Sequence, residues 1–97
     1  MISRDIIDSP FLFKQWMSKC RTTFALDTET NSLKYLDLEI IGFSICDGKQ
    51  ACYVVCNTKY KQELLDILAF YICEAKMIVM HNSPFDMMVL RKEGIEI

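Results

Sequence analysis

Asp27-Thr28-Glu29 holds the residues of this chain best suited to do chemistry. The triplet closes an apolar run, Phe24-Ala25-Leu26, and leads into Thr30-Asn31-Ser32-Leu33. Side chains of an extended segment alternate between faces, so Asp27 and Glu29 point one way and Thr28 the other. Two carboxylates held side by side repel each other unless a cation absorbs the charge. Hard divalent ions that prefer oxygen, such as magnesium, manganese or calcium, suit that task. An ordinary surface turn is the competing reading, because acids concentrate near turns.

A second group, His81-Asn82-Ser83-Pro84-Phe85-Asp86, follows the short apolar run Met77-Ile78-Val79-Met80. Such a run suits a strand buried on both faces and parallel to a neighbour. Placed beside the strand of Asp27, it would bring both C-terminal ends to one sheet edge, where open parallel sheets hold ligands. Asp86 would then face Asp27 and Glu29 across a small cleft as a third carboxylate. Capping explains the same residues differently. Ser83-x-x-Asp86 has the form of a capping box, and an acid in the first helical turn is favoured by the dipole. Asn82 equally suits a turn or cap, and His81 a plain surface position.

The elements that must position these groups follow from periodicity. Residues 1–8 read as an extended lead-in. Ser9 is a helix N-cap with Pro10 at the first helical position, and Phe13, Trp16, Met17 and Cys20 recur on one helical face. Thr22 to Asp27, Glu39 to Cys46 and Ala51 to Cys56 are strands, the last two joined by the hairpin signal Asp47-Gly48. Lys59 to Lys76 has helical spacing of Leu64, Leu65, Leu68, Tyr71, Ile72 and Ala75. A final helix from about Pro84 to Glu93 stops at Gly94, and Ile95-Glu96-Ile97 approaches a further strand. The expected fold is α/β: three antiparallel strands, then a helix, a parallel strand and a helix. The crossover helix sets the fourth strand beside the first.

At 97 residues and 52% hydrophobic content the chain suits one small domain with a real core. A net charge of -2 argues for no global attraction to nucleic acid, though a metal-assisted site needs none. No stretch approaches the roughly 18 apolar residues of a membrane span, and the N-terminus lacks a signal-peptide pattern. A cytoplasmic, non-membrane protein is therefore expected. Cys20, Cys46, Cys52, Cys56 and Cys73 have no Cys-x-x-Cys pair and only one histidine for company, so they read as small buried hydrophobes and not a zinc site.

Phe24 to Leu33 resembles the first motif of the 3'-5' exonuclease (proofreading) domain of bacterial-type DNA polymerase I, and His81 to Leu90 resembles its second. The intervening elements and Gly94-Ile95-Glu96 are similar as well. The resemblance implies a ribonuclease H-like mixed sheet and the DEDD exonuclease superfamily, with residues 1–97 as the N-terminal part of the domain. It implies metal binding and catalysis by Asp27, Glu29 and Asp86, and contacts to the 3'-terminal nucleotide from Thr30, Leu33 and Asn82. It further implies hydrolysis at single-stranded DNA 3' ends, releasing nucleoside 5'-monophosphates, by two Mg2+ or Mn2+ ions roughly 3.5–4 Å apart.

The third motif of that family, a tyrosine or histidine four residues before a fourth acid, does not occur after Asp86. The domain is thus expected to stop before its fifth strand and to bind metal weakly. The Met77–Met80 strand would be a bare apolar edge, prone to self-association or to pairing with a complementing C-terminal half. Two alternatives stand beside the DNA exonuclease: a catalytically incomplete remnant acting as a nucleic-acid-binding or self-associating module, and an RNase D-type RNA exonuclease.

Overall fold

Asp27 and Glu29 lie on the second strand in from one edge of a five-stranded mixed sheet. The computed structural model describes residues 3–31 and 38–96. Chain order is β1 (Ser3–Ile7), α1 (Pro10–Met17), β2 (Thr23–Thr30), β3 (Ile40–Cys46), β4 (Gln50–Val55), α2 (Lys61–Glu74), β5 (Met77–Val79) and α3 (Ser83–Lys92). The sheet order is β1-β4-β3-β2-β5. β2, β3 and β4 form the expected antiparallel meander, and α2 carries the chain across to β5, parallel to β2.

The lead-in is a strand, a correction to the sequence reading. Ser3–Ile7 pairs in parallel with β4, Ile6 opposite Tyr53 and Ile7 opposite Val54. The segment shows no apolar alternation because, of residues 4–7, only Ile7 enters the core while Ile6, its apolar neighbour, is 80% exposed. The fold is α/β and ribonuclease H-like, and its described part reaches five strands through this N-terminal addition.

One face of the sheet is packed and the other is open among the described residues. On the packed face Ile7, Phe24, Leu26, Phe43, Ile45 and Val54 are buried against Phe13, Trp16 and Met17 of α1 and Leu64, Leu65 and Leu68 of α2. Phe13 and Phe43 meet edge to face with centroids 5.4 Å apart. The open face follows the same registers: Asp27, Ser44 and Tyr53 share one row, and Glu29, Gly42 and Val55 the next. β5 is consequently not buried on both faces. Met77 and Val79 lie beside Thr23 and Ala25 on the open face, 59% and 53% exposed, and Ile78 alone leans toward the core.

Local signals hold where a named bond enforces them. The Ser9 hydroxyl accepts the Leu12 N–H at 3.3 Å to start α1. Gly48 has φ +92° in the β3–β4 hairpin, and Gly94 has φ +88° after α3. Asp47 is the hairpin's anchor: one oxygen accepts the Lys49 and Gln50 N–H groups at 2.9 and 3.0 Å, the other the Arg21 N–H at 3.1 Å. Burial alone would push the Asp47 carboxyl up, but these three backbone donors outweigh it and hold it below its ordinary 3.8. Its contribution to stability is therefore complete above the ordinary value and lost as pH falls through the lower folded value. Asp47→Asn should cost about 2 kcal/mol at neutral pH. In urea unfolding at a series of pH values, the gap between wild type and variant should be flat from about pH 5 to 7 and narrow below it.

The cysteines fit the buried-hydrophobe reading in part. All five are free; Cys52 and Cys56 are buried, Cys20 and Cys46 half-buried, and Cys73 exposed. Burial pushes the Cys20, Cys52 and Cys56 thiols up to about 12, which leaves them poor nucleophiles.

Candidate active site

β2 delivers the acidic pair as its alternation requires. Phe24, Leu26 and Thr28 are buried, while Asp27 and Glu29 are exposed on the open face. Register with β3 runs from Ala25–Cys46 through Asp27–Ser44 to Glu29–Gly42, then shifts between Glu29 and Thr30 so that Thr30 pairs with Ile40. The irregularity bends the strand just past the acids. Asn31 is bonded twice to Glu39: its N–H donates to the Glu39 carbonyl at 3.1 Å and its Oδ1 accepts the Glu39 N–H at 2.9 Å.

Asp86 enters from α3 on the other side of the strand. It is 1% exposed, and its Oδ1 accepts the Thr28 hydroxyl at 2.6 Å and the Thr28 N–H at 3.3 Å. β5 pairs with β2 only as far as Ala25, so the Thr28 N–H finds its acceptor in this carboxylate and not in a neighbouring strand. Oδ2 is buried with no hydrogen-bond partner. The capping alternative holds in part: Asn82 is the α3 N-cap and Asp86 lies in the first turn, where the dipole favours an acid, but no Ser83-x-x-Asp86 box forms, since no side chain caps the helix and the Asp86 N–H donates to the Asn82 carbonyl at 3.0 Å.

The expected cluster of three carboxylates is not gathered in one place. Among the described residues no three acidic, histidine or cysteine side chains lie close enough to hold a metal together. Asp27 and Glu29 share the open face, whereas Asp86 addresses the buried Thr28 between them. Alternation contributes, because the Thr28 hydroxyl that Asp86 binds is carried on the face of β2 opposite to Asp27 and Glu29. Thr30 ends β2 and is half-buried, and Asn82 is exposed at the start of α3. Leu33 lies outside the described residues.

Tyr53 was not singled out by motif or spacing. Its hydroxyl occupies the space a Cβ at Gly42 would need, and Gly42 pairs directly with Glu29. Burial first, then the Glu29 charge, push its phenol above the ordinary 10.0. The available signal was a glycine inside an apolar strand, which marks a close approach by another group.

The donor chemistry of Asp27 and Glu29 fits a hard divalent cation, and Asp86, 58 residues along the chain from Thr28, adds a buried oxygen, Oδ2, without a hydrogen-bond partner. No described helix is long and apolar enough to cross a membrane.

The family described as 3'-5' exonuclease matches residues 5–97. A solved structure titled "apo form of the nuclease" superposes with a TM-score of 0.59 at 22% identity, covering 97% of this chain and 44% of that one. The likeness is one of fold, and the chain spans under half that nuclease's length. No curated protein matches. With the family match extending over nearly every residue from β1 to the C-terminus, the chain belongs to the 3'-5' exonuclease family.

Proposed function

We propose that this chain supplies the first acidic group of a metal-dependent 3'-5' exonuclease site acting on single-stranded DNA ends and releasing nucleoside 5'-monophosphates. The observation that carries the reading is the exposed Asp27–Glu29 pair on β2, next to the C-terminal end of the parallel strand β5. Magnesium or manganese ions bound there would activate water and stabilise charge on the phosphate. Asp27 and Glu29 are the ligands this chain offers. Asp86 holds Thr28, and through it the backbone that carries both ligands. Thr30, Leu33 and Asn82 are assigned to the 3'-terminal nucleotide by resemblance to the family. With only these acids, the chain should hold metal weakly.

The test is incubation of end-labelled single-stranded DNA and RNA of one sequence with the chain, with magnesium or manganese or with excess chelator. Stepwise shortening of the DNA from its 3' end, abolished by chelator, is expected. Faster loss of the RNA would favour the RNase D-type alternative.

The edge that β5 forms among the described residues supports a second reading, that the chain assembles with a second copy. β5 ends the sheet with Met77 and Val79 exposed, and an apolar edge invites strand pairing. Sedimentation equilibrium should show self-association that Val79→Lys weakens, since a lysine on an edge opposes pairing. A clean monomer at high concentration would overturn it.

A further inference from the structure

The open face holds one polar group that the proposed metal chemistry has not used. Tyr53 belongs by register to the row of Asp27 and Ser44, two strands away from Asp27. Its ring does not stay in that row. It crosses to the neighbouring one, so that the hydroxyl rests over Gly42, the residue paired with Glu29. Only glycine permits this. A Cβ at position 42 would collide with the hydroxyl and lie 2.9 Å from the Val54 carbonyl oxygen. Gly42 is buried although its face is open, which is the mark of the ring above it. Among the described residues the hydroxyl makes no hydrogen bond, so its proton is free to meet a carboxylate carried by the residue paired with Gly42.

We propose that Tyr53 is the positioning residue for Glu29, its hydroxyl donating to the Glu29 carboxylate and holding the side chain in the orientation that meets a divalent cation. The proposal rests on the function proposed above. An exposed glutamate loses rotamer freedom when it binds a metal, and a partner that orders it beforehand reduces that cost. The electrostatics agree in sign. After burial, the Glu29 charge is the largest influence raising the Tyr53 phenol, with the Cys56 thiol behind it. Arg4 and Asp5 of β1 and Cys46 of β3 also line the hollow beside the ring, and Asp27 lies along its row.

Two measurements on the 97-residue chain test this. The first needs no metal. Tyrosinate absorbance is titrated in wild type and in Tyr53→Phe, and their difference isolates Tyr53 from the other three of the four tyrosines. Glu29→Gln should move that difference titration to lower pH; an unmoved titration would overturn the contact. The second is manganese affinity, read from the signal of free Mn2+ by electron paramagnetic resonance. Tyr53→Phe should weaken binding by about tenfold, the usual cost of losing a ligand's supporting partner. In a Glu29→Gln background the same change should have no further effect. Wild-type affinity in Tyr53→Phe would overturn the positioning role. Coupling of Tyr53 to Glu29 in a chain that binds no manganese would instead uphold the contact and sink the metal reading of the site. Circular dichroism of Tyr53→Phe guards against an effect of misfolding, since the ring itself is retained.

Discussion

Asp27→Ala should reduce metal-dependent shortening of single-stranded DNA by more than about a hundredfold, because even the outer partners of metal ligands cost roughly 10–100-fold when lost. Fold stability should hardly move. Asp27 is exposed on the open face of β2, and surface substitutions usually stay within about 0.5 kcal/mol. Without metal the variant should even gain slightly, since the repulsion between Asp27 and Glu29 on the same face is then removed. Added Mg2+ or Mn2+ should raise the melting temperature of wild type and not of the variant, as mass action demands of a ligand that binds the folded state. Melting curves with and without metal, run beside the nuclease assay, separate the two effects. Full activity in Asp27→Ala would refute the assignment.

Asp86→Ala should have the opposite profile, with a large stability loss that is present before any metal is added. The substitution strips the acceptor from both the hydroxyl and the N–H of Thr28, and both lie in a buried setting. Leaving such donors unsatisfied, on top of losing charge-assisted bonds, should cost about 3 kcal/mol. That is a large share of the roughly 5–15 kcal/mol that holds a small domain together. Thr28→Val removes one of the same bonds and should cost less. Because the two residues are in contact, the double variant should fall well short of the sum of the singles. Urea unfolding of the four proteins without metal makes the cycle. Near-additive losses would show that Asp86 does not act through Thr28, and a metal-ligand role for its carboxylate would regain ground.

Much of the fold was legible because it rests on short-range rules. Alternation in Phe24–Glu29 paired the two acids, the Asp47-Gly48 signal turned the hairpin, and the Ser9-Pro10 start capped α1. β1 was missed because, of residues 4–7, only Ile7 enters the core, too few for an apolar alternation to show. The burial of β5 was overestimated for a related reason: Met77 and Val79 are apolar, but no described element covers their face. Motif spacing cannot report what packs on a strand.

For the acids themselves the division follows the range of the forces. Residue order alone set the orientation of Asp27 relative to Glu29, since the pleat of one strand makes them neighbours whatever surrounds it. It also carried the resemblance to the 3'-5' exonuclease family, which the match over residues 5–97 bears out. The partner of Asp86 was undecidable from sequence, because a helix cap and a tertiary acceptor place an acid at the same position. Packing of α3 against the end of β2 resolved it: the carboxylate lies 58 residues along the chain from the Thr28 hydroxyl it binds. Tyr53 reached the neighbourhood of Glu29 in the same way, through pairings across β2, β3 and β4 and the bare Cα of Gly42. Such meetings depend on register between distant strands, which no local pattern encodes.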